Sequence, residues 1–311
     1  MFGGLAPSSL LSQSLDALTA QLPALRDGDE EAIHQARVAI RRAREAFAPV
    51  TAHDAEDQRE EIDDRLSRMF KALGRARDAD IAQRLVQHVE TRFTLIPAML
   101  GQLRASAARS QLAARRKMIK ALEALDVHLI PLQLERTLRA STRGLRGNYA
   151  WRGLLKNHVA RRAQDVRQAI AHAGGVYFPN RSHSARVAIK HLRYAIELAD
   201  ASGTWHLPRS RKPLRKAQDA LGEAHDREVL LQRLHGLSSE GVDVSPSEAS
   251  ALDQFLCGEI QSLHERYLVA RPAILDICAA CETAPRTSLL GASTVAAAAV
   301  AVPAILLLRR R

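Results

Sequence analysis

The chain has 311 residues, with 45 Lys and Arg against 34 Asp and Glu, a formal net charge of +11 and a pI near 10.2. That length is ample for a sizeable core, as one large two-part domain or two fused small ones. The positive excess points to an anionic partner (nucleic acid, a polyphosphate or an acidic membrane surface), and an aromatic content of only 4% argues against single-stranded nucleic acid, whose binders offer stacking platforms.

Alternating strand-forming runs are scarce, and helical periodicity fills nearly the whole chain, so the expected fold class is all-α. The N-terminus, Met1 to Pro7, has neither a basic n-region nor a clear apolar core, so no secretory leader is expected. Leu10 to Leu25 reads as an amphipathic helix ending near Pro23. Asp27-Gly28-Asp29 then offers an N-cap, with acids in the first turn, for a helix through about Phe47, closed by Pro49. This helix carries His34-Gln-Ala-Arg37-Val-Ala-Ile-Arg41-Arg42-Ala-Arg44. At about 100° per residue, positions i, i+3, i+7 and i+10 fall within roughly 80°, which places His34, Arg37, Arg41 and Arg44 in one basic stripe. An apolar stripe of Ile33, Ala36, Ile40, Ala43 and Phe47 runs beside it.

Asp54 to about Ala76 reads as the next helix, ending in Leu73-Gly74-Arg75-Ala76-Arg77-Asp78, with another from Asp78 through His88. Pro97 breaks the pattern. Met99 to Leu125 follows as a long basic helix with Arg104, Arg109, Arg115, Arg116, Lys117 and Lys120, then Leu132 to Leu145. The stretch Arg146 to Ala150 is the expected boundary between halves. The second half replays the order. Trp151 to Ala173 is helical, Gly174-Gly175 and Pro179-Asn180 make a loop, and a second motif helix runs through about Ala201. It reads His183-Ser-Ala-Arg186-Val-Ala-Ile-Lys190-His191-Leu-Arg193, 149 positions after the first, beside an apolar stripe of Ala185, Ile189, Leu192 and Ile196. Arg211 to Gly222 then leads into Leu221-Gly222-Glu223-Ala224-His225-Asp226, which matches the first Leu-Gly segment at an offset of 148. Two matched points in order establish an internal repeat. A last helix from Ser247 to Leu268 and another from Pro272 to Cys281 complete this part.

Arg and Lys on a helix are ordinarily solvated surface. Here the first stripe is nearly free of acids, with Glu30, Glu31 and Glu45 lying off it, and only Glu197 joins the second, one turn beyond Arg193. The spacing is kept across the repeat while the flanks drift, which favours an anion site built by duplication. The three cysteines are Cys257, Cys278 and Cys281. Cys278-x-x-Cys281 lacks the second pair a zinc site needs and reads as two buried reduced thiols, and the odd count suits a reducing cytosol. Leu289 to Leu308 carries no charge and precedes Arg309 to Arg311. Its length meets the roughly 20 residues of a membrane span, but its alanine content and the terminal arginines leave two readings open, a tail anchor or a terminal helix packed on protein.

The two motif pairs together resemble the CHAD family, the conserved histidine α-helical domain, over about Leu10 to Cys281. The resemblance implies two pseudosymmetric four-helix bundles with a basic central cavity, over residues 5–283, the halves spanning about 5–145 and 150–283. It also implies binding of inorganic polyphosphate, and several members associate with polyphosphate granules, so a cytoplasmic place at granules or at the inner face of a membrane is expected. The family's basic positions fall on His34, Arg37, Arg41, Arg42 and Arg44, and on His183, Arg186, Lys190 and Arg193. The basic residue preceding the Leu-Gly turn falls on Arg68 in the first half and on Arg215 or Lys216 in the second. The second turn departs from the first, with Glu223 for Arg75 and His225 for Arg77. No Glu-x-Glu-x-Lys strand of a fused triphosphate tunnel domain appears, and the hydrophobic tail lies outside the family pattern.

Polyphosphate offers charge density and phosphate geometry but no bases. Arg engages phosphate oxygens with a planar fork, Lys with a point charge, and rows of both at about 5.4 Å per turn meet successive phosphates. Asp78 and Asp226 are expected to orient motif arginines by salt bridges, or to cap the helix that follows. Two other classes compete. His53-Asp54 and His225-Asp226 resemble the dipeptide of metal-dependent phosphohydrolases, but the remaining ligands of such a site are not evident, and no Walker loop, nucleophile elbow or His-Glu-x-x-His occurs. Nucleic-acid binding shares the charge without stacking aromatics or a helix-turn-helix. The reading is therefore a non-catalytic binder, with no cofactor, metal or catalytic residue expected.

Overall fold

The computed structural model describes residues 7–50, 56–92, 97–127, 129–130, 132–136, 148–237 and 245–283. All regular structure among these residues is helical: α1 (Pro7–Arg26), α2 (Glu30–Val50), α3 (Glu56–Glu90), α4 (Pro97–Ala124), α5 (Asn148–Ala173), α6 (Pro179–Ala201), α7 (Arg211–Leu237) and α8 (Pro246–Thr283), with a 3₁₀ turn at Pro208–Ser210. A short helical stretch at 129–130 and 132–136 follows α4. Of the expected boundary Arg146 to Ala150, residues 148–150 form the first turn of α5, while 146–147 and the hydrophobic segment 289–308 lie outside the described residues. No described helix is long and apolar enough to cross a membrane.

The motif helices form for local reasons. At the start of α2, the backbone N–H of Ala32 donates to Asp29 Oδ1 at 2.7 Å, and Glu30 and Glu31 sit in the first turn, where the helix dipole favours acids. Gly28 supplies the positive φ of 70° that turns α1 into α2. In α6, Phe178 is the extended N-cap and Pro179 opens the helix, a position where its missing donor costs nothing. Pro179-Asn180 thus begins the helix instead of forming a loop.

Each motif helix buries its apolar stripe. Ile33, Ala36, Ile40, Ala43 and Phe47 of α2 and Ala185, Ile189, Leu192 and Ile196 of α6 all lie in one core that runs through both halves. Within the first half α1 packs on α2, α2 on α3 and α3 on α4; in the second α5 packs on α6, α6 on α7, α7 on α8, and α8 returns to α5. The halves meet through α2 against α6 and α5, and through α3 against α7. A smaller core, with Val86, Val89, Leu103, Leu230, Leu234 and Leu256, ties the far ends of α3 and α7 to α4 and α8.

Four expected breaks are absent. Gly74 and Gly222 lie inside α3 and α7, so the two Leu-Gly segments are mid-helix and not turns, and Asp78 and Asp226 cap nothing. Pro23 and Pro272 likewise lie within α1 and α8. Tertiary packing overrides the local signal in each case. Leu73 and Ala76 are buried around Gly74, and Ile274, Cys278 and Cys281 continue the buried face of α8 past Pro272. Cys278 and Cys281 are free thiols pushed up to about 12 by burial, as inert core residues should be.

Candidate functional site

Because α2 packs on α6 and α3 on α7, the two basic stripes face one space. A cleft of ≈ 720 Å³ lies between the halves, lined by His34, Arg37, Arg41, Arg42, Arg77 and Asp78 from the first and by Arg186, Lys190, Arg193, Tyr194, Arg215 and Asp226 from the second.

The arginines are held in place before any ligand arrives. Arg37 Nη1 donates to the carbonyl of Phe70 at 3.1 Å, and its guanidinium lies over the Phe70 ring, 4.2 Å from the centroid. This approach requires Gly74, since a Cβ there would stand 2.6 Å from Arg37 Nη1. Arg41 Nε donates to the Arg37 carbonyl at 3.1 Å, and its guanidinium sits 5.5 Å from the Tyr194 ring centroid. Arg193 stacks on the same ring at 4.4 Å, while its Nε donates to Gln218 Oε1 at 2.9 Å and its Nη1 to Glu197 Oε1 at 2.6 Å. The few aromatics of the chain here serve cations.

Packed together, these charges disfavour one another's protonation. Lys190 is pushed down to about 7 by burial and then by Arg41, Arg186, Arg37 and Arg193. Burial and the neighbouring Arg41 bring Arg37 down to about 10, against a pull from Asp78 in the other direction. His34 is lowered by burial and by Arg77, and Arg41 by burial and by the cations around it. Arg186 Nε is buried without a hydrogen-bond partner. An anion in the cleft relieves the first cost by neutralising the cluster.

Of the residues expected from sequence, His34, Arg37, Arg41, Arg42, Arg186, Lys190, Arg193 and Arg215 line the cleft, with Asp78 and Asp226. Four do not. Arg44 is turned to α3, where it pairs with Asp63 through two hydrogen bonds of 2.9 and 3.0 Å. Arg68 pairs with Asp64 at 2.8 Å on an exposed face of α3. His183 points to His225, their ring centroids 5.1 Å apart. Lys216 lies one residue round α7 from Arg215, in a neighbouring concavity with Arg211 and Lys212. The expected salt bridges of Asp78 and Asp226 are also corrected. Among the described residues neither carboxylate makes direct ion-pair contact with a motif arginine, and both act through space. Asp226 is raised by burial, with Arg186 opposing.

Two features escaped the sequence. Arg77 lines the cleft, three residues after Gly74, and pairs with Glu30 at 2.7 Å. Its one-turn spacing from the glycine was a usable signal, obscured by His225 in the second copy. The other is a buried knot at the seam. Glu45 of α2 accepts hydrogen bonds from His158 Nε2 at 2.7 Å and Arg162 Nη2 at 3.1 Å on α5, and is bonded to His191 on α6. Among the described residues no three His, Cys, Asp or Glu side chains are grouped to hold a metal ion. His225 pairs with Glu228 at 3.3 Å, and His53-Asp54 lies outside the described residues.

An all-helical fold with a cationic cleft lined by both motif helices is the class these features define. The CHAD domain profile matches residues 9–235, most of the chain, and the protein belongs to the CHAD family. A search of curated proteins finds no match. Among solved structures, the chain is similar to the CHAD domain from the plant Ricinus communis, at 23% identity over 92% of this chain and 94% of that one, with a TM-score of 0.62. It is also similar to PptA from Streptomyces chartreusis, at 14% identity over 88% of this chain and 97% of that one, with a TM-score of 0.59. At these identities both likenesses speak to the fold.

Proposed function

We propose that this protein binds inorganic polyphosphate in the cleft between its halves and does so without catalysis. The observation that carries the reading is the convergence of Arg37, Arg41, Arg42, Arg77, Arg186, Lys190, Arg193 and Arg215 on one cleft, where they outnumber the carboxylates Asp78, Asp219, Glu223 and Asp226, and where burial and then the surrounding arginines drive Lys190 to about 7. Membership of the CHAD family supports the same ligand. A slender polyanion with a charge on nearly every unit suits such a space, whose volume is that of a small-ligand pocket and not of a duplex groove. Single-stranded nucleic acid fits less well, because the Phe70 and Tyr194 rings are already covered by arginine guanidinium groups. Residence at cytoplasmic polyphosphate granules follows from the same reading.

Competition at matched phosphate concentration tests it: long-chain polyphosphate is expected to displace labelled duplex DNA, and the reverse result would replace polyphosphate by nucleic acid. Binding should fall steeply with salt as condensed counterions are released. Incubation with polyphosphate and Mg²⁺ is expected to release no orthophosphate; steady release would make the protein a phosphohydrolase.

A further inference from the structure

The surface beyond the cleft differs in charge between the two halves. On the second-half side, Arg215 and Asp219 line both the cleft and an adjoining concavity of ≈ 370 Å³ that also takes in Arg211, Lys212 and Lys216, on the first two turns of α7. These cations are exposed and weakly compensated. Arg215 is 79% exposed and only 3.7 Å from Asp219, Arg211 pairs with Asp200, and Lys212 and Lys216 have no ion pair among the described residues. Arg211 and Lys212 stand eleven and ten residues before Gly222. The residues eleven and ten before Gly74 are Asp63 and Asp64. There the repeat has reversed its charge, and the two aspartates already neutralise Arg44 and Arg68. Where the second half has Gln218, which is polar and lines the cleft, the first half has Phe70, whose ring is covered by Arg37.

We propose that a polyanion too long for the cleft leaves it over one mouth only, across Arg211, Lys212 and Lys216 of α7, and that Asp63 and Asp64 close the matching first-half end to anions. The inference rests on the cleft being the polyphosphate site. Its physical basis is that exposed charges act within a screening length, so the sign beside each mouth decides where a chain of phosphates continues. The α7 mouth is thus a subsite for long chains, and a ligand held wholly inside the cleft does not sense it.

The test compares tripolyphosphate with long-chain polyphosphate by calorimetry at fixed salt. The variant R211E/K212E is expected to keep tripolyphosphate affinity within about twofold of wild type and to lose about tenfold for the long chain, the scale of two exposed charge contacts. R116E/K117E, which makes the same charge change on an exposed face of α4, controls for net charge and should lower both affinities alike. D63N/D64N, which removes the closing charge, should raise long-chain affinity several-fold. If R211E/K212E lowers the two affinities in the same ratio as R116E/K117E, the mouth carries no ligand and the inference falls, with the cleft reading intact. If wild type binds neither ligand, the cleft reading itself falls.

Discussion

The two motif helices carry the same text and are used differently. Arg37 of α2 is anchored on the Phe70 carbonyl and ring, and Gly74 leaves room for it. Its counterpart Arg186 of α6 has a buried, unpartnered Nε, and a Cβ on Gly222 would stay 4.0 Å away from Arg186 Nη1. Arg41 corresponds to Lys190, an always-charged group to one driven to about 7. At the seam, Glu45 corresponds to Tyr194 and Arg42 to His191. The first copy crosses the seam by charge, Glu45 to His191, His158 and Arg162, whereas the second crosses it by stacking, Arg41 on Tyr194. The difference teaches that the two helices share the cations that face the cleft and differ in the contacts that join the halves.

The largest expected effect comes from breaking what the copies share. R37E/R186E should weaken polyphosphate binding by two orders of magnitude or more, since each charge-assisted contact is worth about 1.5–3 kcal/mol and each reversal adds repulsion. Helix content by circular dichroism should not change. The single variants sharpen the comparison: R37E also removes the contact with Phe70 and should lower the melting temperature, which R186E should leave in place. Wild-type affinity in the double variant would exclude the cleft as the site.

Next is the seam. Glu45 is 2% exposed, and although burial alone would raise its carboxyl, the donors His158 and His191 and the charge of Arg162 outweigh that and hold it well below the ordinary 4.5. Removing it by E45A leaves buried partners without their acceptor and should cost roughly 3–5 kcal/mol. Because the folded value is depressed, the stabilisation is fully present above pH 4.5 and is lost as pH falls below it toward the folded value. Urea midpoints between pH 6 and pH 3 should therefore drop steeply in wild type and less in E45A. Parallel curves would mean that the knot contributes nothing specific.

How much of this the sequence revealed follows from the range of each interaction. The stripes were legible because α-helical periodicity is local, and their burial followed it residue for residue, from Ile33 to Phe47 and from Ala185 to Ile196. The Leu-Gly segments were legible as landmarks but not in their role. Glycine usually marks a turn, and only the approach of Arg37, 37 positions earlier, shows why it stands in mid-helix. Arg44 and Arg68 were misplaced because the captors Asp63 and Asp64 belong to α3, whose facing on α2 no spacing discloses. The seam knot was illegible, since Glu45 meets partners 113 to 146 positions away.

The third expectation sets Lys190 against Arg41. In the free protein Lys190 is lowered from 10.5 to about 7 by burial and by Arg41, Arg186, Arg37 and Arg193, facing it from both motif helices. Phosphate favours the ammonium form, so the ligand binds together with a proton wherever Lys190 is neutral. Affinity should therefore be flat with respect to this group below pH 7 and fall between pH 7 and 9, by up to tenfold per unit. K190R makes the second stripe like the first and should flatten that interval. Equal slopes in wild type and K190R would show that Lys190 does not meet the ligand.

The smallest effects separate the two glycines. Glycine inside a helix costs about 1 kcal/mol relative to alanine. At Gly222 a Cβ meets only Arg186 Nη1, at an ordinary 4.0 Å, so G222A should gain most of that and leave binding unchanged. At Gly74 the same methyl would stand 2.6 Å from Arg37 Nη1, which must move and release its bond to the Phe70 carbonyl. That bond is worth about 1–2 kcal/mol and offsets the helical gain, so G74A should be near neutral in stability and several-fold weaker in binding, with Arg37 displaced from its place over Phe70. Thermal melts and calorimetry on the pair check it. If G74A stabilises as much as G222A with full binding, the close approach of Arg37 is not what the first glycine provides, and the two halves are more alike than their contacts imply.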